Sequence, residues 1–331
     1  MNAIRKHRFV FQYLLALSLV LVVVGIWSVI EKNGSTSQRV LEQYWAWQAA
    51  GKHPGNAINI VRFAFETHNY SFLLHWIFAG APTIAAIVVC ALAWGRAGVR
   101  RLFGRLKPWN NGVRPTEALK VYGVIVVVYL AVFVALLWSL RSSPDAFHNA
   151  YGKLGGTPLF ALVTALVGLF IDEGGMLEEL GWRGFAMPQL QDRFRSPAVA
   201  NLLLGFLWFA WHFPRELPTL FTHQEPGKWA LMQLIFCLYC ISLAIVMAYA
   251  VNRTGGSVLP AIMIHSGPNV WAKTDAMKVV YDRLGFDFRL IMMGAIAILL
   301  VAITRGQLGR IRASEGRRLE PAGAQADGKS S

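Results

Sequence analysis

The stretch 157–190 reads TPLFALVTALVGLFIDEGGMLEELGWRGFAMPQL. It opens as an uncharged apolar run to Ile171, then meets Asp172, Glu173, Glu178, Glu179 and Arg183 with no polar loop between them. At ~1.5 Å per helical residue it is too long for one straight crossing of a ~30 Å hydrocarbon layer. Gly174–Gly175 is the expected place for a break. A charged side chain in hydrocarbon costs ~2.5–3.5 kcal/mol even on the lenient insertion scale, so ionisable groups here point first to function.

Helical spacing sorts them. Glu179 and Arg183 are four residues apart and share a face, so they can pair. Glu178 lies ~100° further round the helix and points away from the arginine. Two other apolar runs carry such groups: His212 in the run 199–213, and His265 with Asn269, again four apart, in the run 257–272. Pro268 stands between the last two and is expected to loosen that turn. With the polar turn 191–198 as a hairpin, Glu179 and His212 lie at similar depth, ~22–24 Å from it along their helices. His265 follows the Gly255–Gly256 turn so closely that its expected depth is several Å shallower.

Working outward, further apolar runs cover 9–30, 72–94, 119–140, 229–251 and 287–304. With the three above they make about eight transmembrane helices, in an all-α, polytopic membrane protein whose buried polar groups gather inside the helix bundle. The expected organisation is an N-terminal membrane region (1–156), a core carrying all the buried polar groups (157–275), a last span (276–304) and a polar tail (305–331). Residues 31–71, with Trp45 and Trp47, read as interfacial, and the end of the tail as disordered.

Composition agrees. The chain of 331 residues is 55% hydrophobic and 15% charged, with mean hydropathy +0.43. A soluble domain carries about 25% charge. The net charge of +14 could signal nucleic acid, but the basic residues sit in short segments between apolar runs. Lys and Arg are about twice as dense in the segments that an even span count places with the two termini, which assigns both termini to the cytoplasm by the positive-inside rule. The partner expected from composition is the lipid bilayer, with no nucleic acid. Cys90, Cys237 and Cys240 are an odd, low count in apolar runs, so no disulfide framework is expected. The remaining histidines fall mostly in loops or at span ends and are given no role.

The motifs resemble those of the type II CAAX prenyl endopeptidase and bacteriocin-processing (CPBP) family of intramembrane proteases. That family carries E-E-x-x-x-R, then F-x-x-x-H, then H-x-x-x-N or H-x-x-x-D. The first stands here as Glu178-Glu179-Leu-Gly-Trp-Arg183, and the third as His265-Ser-Gly-Pro-Asn269. In the second, Trp208 occupies the slot four residues before His212, and Phe209 comes one place late.

The resemblance implies hydrolysis of a peptide bond within the membrane, at an active site in a cavity of the helix bundle, on a prenylated or membrane-anchored protein or peptide, in a multi-pass protein of the cell membrane. It implies that Glu178 activates water, His212 assists, and His265 with Asn269 holds the oxyanion, while Glu179 and Arg183 support the site. The chemistry is suitable: a carboxylate among apolar helices is a stronger base than one in water, and preset donors at a developing oxyanion contribute a few kcal/mol. Glu178, His212 and His265 are also a ligand set that catalytic zinc uses. The family is described both as metal-dependent and as metal-independent; no tightly bound cofactor is the favoured expectation here, with Zn2+ as the alternative. A transporter would also place Glu, His and Arg in mid-membrane, and a non-catalytic scaffold could keep the same cluster. The sequence shows no internal repeat for the first, and no motif residue type is missing for the second.

Overall fold

The computed structural model describes residues 57–68, 72–110, 112–142, 157–222, 225–272, 280–282 and 288–310, with short pieces at 12–14, 16–19, 43, 46–47 and 144. Most of the expected first span (9–30), of the interfacial segment before residue 57, and of the loop 143–156 lies outside the described residues, as does the tail beyond 310. The described chain is helical, with no strand among the described residues. The helices are α1 (Ala57–Glu66), α2 (Phe72–Phe103), α3 (Pro115–Ser139), α4 (Pro158–Gly168), α5 (Glu173–Gly181), α6 (Met187–Arg193), α7 (Pro197–Thr222), α8 (Pro226–Arg253), α9 (Leu259–Ala272) and α10 (Phe288–Ile303).

Three of them are long and apolar enough to cross a bilayer: Trp76–Leu106, Pro115–Ser139 and Pro226–Arg253. The apolar part of α7, Pro197–Phe213, is shorter, as is α10. In α3 only 17% of the most apolar window is buried inside the protein. Val124, Val127 and Val134 stand open on it. An apolar face of this kind is costly in water and natural in lipid, so the fold is that of an all-α membrane protein.

The stretch 157–190 breaks, though earlier than its glycines suggest. α4 ends at Gly168, residues 169–172 turn, and α5 starts at Glu173 with Asp172 as its N-cap, whose side chain accepts from the Gly175 amide at 3.2 Å. Asp is a favoured N-cap because its carboxylate satisfies one of the unpaired amides of the first turn. Gly174 and Gly175 lie inside the helix and serve close packing instead. After Gly181 the chain makes a π-helical turn, Trp182–Ala186, before α6. Such turns recur at functional sites, and this one carries Arg183.

The composite rod α5–π–α6 is the centre of the bundle, touched by α2, α9 and α7. Contact with α2 is backbone to backbone. A Cβ on Gly181 would stand 2.2 Å from the carbonyl carbon of Pro82, and Thr83 Oγ1 accepts the Gly181 amide at 3.2 Å. Only glycine fits there. α7 packs along α8, and α8 along α10. From the N-terminal segment, Tyr13 is fully buried against the rings of Trp182 (5.7 Å) and Phe185 (5.2 Å).

Segments expected on one side of the membrane meet at one end of the bundle. Val258 donates to the Arg105 carbonyl (2.8 Å), Asn110 to the Thr254 carbonyl (3.1 Å), Asn252 to the Leu308 carbonyl (3.0 Å) and Ala198 to the Gly306 carbonyl (3.0 Å), while Arg310 pairs with Asp192. The tail's first residues are therefore part of the fold.

Candidate active site

Helix α5 brings Glu178 and Glu179 into the interior on different faces. Glu179 is completely buried; its Oε1 accepts from Arg183 Nη1 at 2.9 Å and from His265 Nδ1 at 2.8 Å. The pairing expected from i,i+4 spacing is thus present, and a histidine from α9 joins it. Arg183 is also fully buried, and its Nε and Nη2 find no hydrogen-bond partner among the described residues. The guanidinium instead lies over the Trp208 ring, 4.3 Å from the centroid. A cation on a desolvated indole face gains about 2 kcal/mol, which offsets part of its unmet hydrogen bonding.

Glu178 faces the other way, into a cavity of about 180 Å³ that His212, His265, Asn269, Glu173 and Trp208 also line, with Phe78, Trp211 and Phe236 as aromatic wall. Glu178, His212 and His265 are only 5–6% exposed. Trp208 Nε1 donates to Glu178 Oε2 at 2.7 Å. His212 Nδ1 lies 2.8 Å from the Trp208 carbonyl. A carbonyl only accepts, so this nitrogen carries the proton.

His265 is at the level of Glu179, not several Å away from it as counting from the Gly255–Gly256 turn suggests. The reason is close packing between α5 and α9. A Cβ on Gly175 would fall 2.2 Å from Ser266 Oγ, and one on Gly174 would fall 2.8 Å from His265 Nε2 and 3.1 Å from Asn269 Nδ2. The two glycines let α9 slide against α5 until its histidine reaches the buried carboxylate. α9 runs on through Pro268 to Ala272 without a break. Asn269 is half-buried, and its Nδ2 donates to Asp172 Oδ2 at 2.7 Å.

All six expected residues therefore converge: Glu178, His212, His265 and Asn269 on the cavity, Glu179 and Arg183 behind it. Sequence reasoning missed two others. Asp172, a buried carboxylate, both caps α5 and holds Asn269; its signal was a third acid at the end of the same apolar run. Trp208 was legible as an aromatic in the F-x-x-x-H slot, but an indole N–H aimed at Glu178 is not.

The side chains do not form a zinc cage as they stand. Among the described residues no three His, Cys, Asp or Glu groups gather as ligands for one ion. His265 Nδ1 faces Glu179 and His212 Nδ1 a backbone carbonyl, contacts that orient each ring and leave its Nε2 available. Cys90, Cys237 and Cys240 form no disulfide, and Cys240 reaches the cavity wall.

A carboxylate and two imidazoles around a small cavity in an all-α membrane protein are groups that acid–base hydrolysis can use. Comparison with known proteins makes this specific. Residues 154–271 match the family described as Rce1-like, type II CAAX prenyl endopeptidase. A relative from Methanococcus maripaludis, CAAX prenyl protease 2, is 28% identical over 195 residues, which is 59% of this chain and 71% of the relative. The matched segment contains every motif residue above, and over that segment the chain is similar to the Rce1-like, type II CAAX prenyl endopeptidase family. It is a membrane peptide hydrolase of the CAAX endopeptidase type.

Proposed function

We propose that this protein cleaves a peptide bond near the C-terminus of a prenylated or otherwise membrane-anchored protein, with Glu178 as general base. The observation that carries the reading is the division of labour between adjacent glutamates. Glu179 is closed off by Arg183 and His265, whereas Glu178 lines the cavity.

In this reading a water beside Glu178 gives up its proton as it attacks the scissile carbonyl carbon. His212 lines the same cavity with Nδ1 protonated toward Trp208, so its Nε2 is the basic nitrogen that assists. The carbonyl oxygen takes up negative charge, for which His265 Nε2 and Asn269 Nδ2 are the nearby donors, flanking Gly174. For Nε2 to donate while Nδ1 faces Glu179, His265 is an imidazolium, and Glu179 supplies its counter-charge. Asp172 holds the Asn269 amide in its orientation. The C–N bond then breaks as the leaving amine takes the proton from Glu178, and the shortened protein with its new carboxylate and the released peptide with its free amine depart. The aromatic wall of Phe78, Trp211 and Phe236 suits an apolar substrate segment.

The relative's name supplies the substrate class, a prenylated CAAX tail. A fluorogenic farnesylated CAAX peptide tests it: Glu178→Gln abolishes cleavage while the detergent-purified protein unfolds at the wild-type temperature. Full activity of that variant removes the base assignment. The positive-inside pattern and the joining of the basic segments at one end of the bundle support a multi-pass topology with both termini in the cytoplasm.

A further inference from the structure

The family pattern has phenylalanine where this chain has Trp208, and that difference places an N–H donor against the reacting carboxylate. Trp208 is buried, one turn before His212 on the same face of α7. Its contacts reach four site residues. The indole N–H donates to Glu178 Oε2 at 2.7 Å, the ring face carries the Arg183 guanidinium at 4.3 Å, the ring stands edge-to-face with His265 at 5.1 Å, and the carbonyl accepts from His212 at 2.8 Å.

Indole nitrogen only donates, so the contact with Glu178 is an N–H···O⁻ bond to one defined oxygen. Charge-assisted bonds of this length are about twice as strong as neutral ones. Fixing one oxygen removes rotation about the last torsion of the side chain, which for Glu is broad and roughly two-fold, and sets where the proton-accepting lone pairs point. The cation over the ring withdraws electron density and strengthens the N–H as a donor. Glu179, Arg183, Trp208 and Glu178 thus form one continuous chain from the closed ion pair to the cavity.

We infer that Trp208 is a positioning residue for the hydrolysis: its indole N–H orients Glu178, and through its ring the buried Arg183–Glu179 pair bears on the base. This rests on the reading of Glu178 as base.

The test removes the donor, with and without the rest of the indole. Trp208→Phe restores the family's residue, and 3-benzothienylalanine introduced at position 208 by nonsense suppression keeps the indole's shape with sulfur in place of N–H. Both variants are assayed in the full-length protein on the farnesylated fluorogenic CAAX peptide, beside Glu178→Gln. The expected result is a kcat lowered about 10- to 100-fold in both, the range for losing a hydrogen bond to a charged group. KM stays within about twofold of wild type, because the bond acts on the base and not on bound substrate. The unfolding temperature of the benzothienyl variant stays at the wild-type value. Wild-type kcat in the benzothienyl variant overturns the inference, whatever Trp208→Phe does. A loss of kcat matched by a fall in unfolding temperature overturns it too, because Trp208 is then only packing. If Glu178→Gln is dead and both Trp208 variants are fully active, this inference alone fails; if Glu178→Gln is active, the base reading fails first.

Discussion

Gly174→Ala is the most informative single-atom perturbation of this site. The new methyl would stand 2.8 Å from His265 Nε2, 3.2 Å from His265 Cε1 and 3.1 Å from Asn269 Nδ2. Neither neighbour can retreat without loss. His265 is tethered by Nδ1 to Glu179 at 2.8 Å, and Asn269 by Nδ2 to Asp172 at 2.7 Å. Overpacking by one methyl costs ~1–3 kcal/mol, and alanine in place of a helical glycine returns ~1 kcal/mol. The net change in stability is therefore small, about 0–2 kcal/mol. The catalytic effect is larger, because the methyl fills the space where the two proposed oxyanion donors meet. Loss of one such donor lowers kcat about 10²- to 10³-fold.

Gly175→Ala is the control. Its methyl would lie 2.2 Å from Ser266 Oγ and 2.9 Å from the Ile262 carbonyl, so α5 and α9 must separate. Steady-state cleavage of the farnesylated peptide and thermal unfolding in the same detergent read both effects. Gly174→Ala should lose kcat and keep its fold, and Gly175→Ala should lose the fold. Wild-type kcat in Gly174→Ala would refute the oxyanion assignment of His265 and Asn269.

Other outcomes follow from the same geometry. Glu179→Gln leaves Arg183 buried without its counter-charge, at a cost of ~3–5 kcal/mol, and releases His265. The variant should melt well below Glu178→Gln, and equal melting temperatures would show that the buried pair is not structural. If Glu178 and His212 share a water and His265 with Asn269 holds the oxyanion, cleavage should survive exhaustive chelation; elemental analysis finding one zinc per chain, lost together with activity, would overturn this. Reporter fusions at the C-terminus and in the loop 141–156 should report opposite sides of the membrane, and an outward C-terminus would overturn the topology.

Much of the site was legible because helices impose a period. Four-residue spacing alone paired Glu179 with Arg183 and turned Glu178 away, since a backbone hydrogen-bonded to itself fixes side-chain direction locally. The cost of charge in hydrocarbon marked Glu178, Glu179, Arg183, His212 and His265 as functional before any contact was known. The all-α membrane class followed from apolar runs and their basic flanks, through the rule that in lipid every backbone polar group is satisfied within a helix or a closed barrel.

What only the tertiary structure decided is how separate helices slide and rotate against each other. Counting residues from a turn misplaced His265, because depth depends on how closely α9 approaches α5, and that approach is set by hydrogen atoms in place of side chains at Gly174 and Gly175. The break in 157–190 fell at Asp172 because a capping carboxylate, also needed by Asn269, outweighs the flexibility of the glycines that follow. Trp208 was visible as an aromatic in an expected slot, but its bond to Glu178 joins residues 30 positions apart on different helices. Sequence fixes which face of a helix a group occupies; the packing of one helix on another selects which atom it meets there.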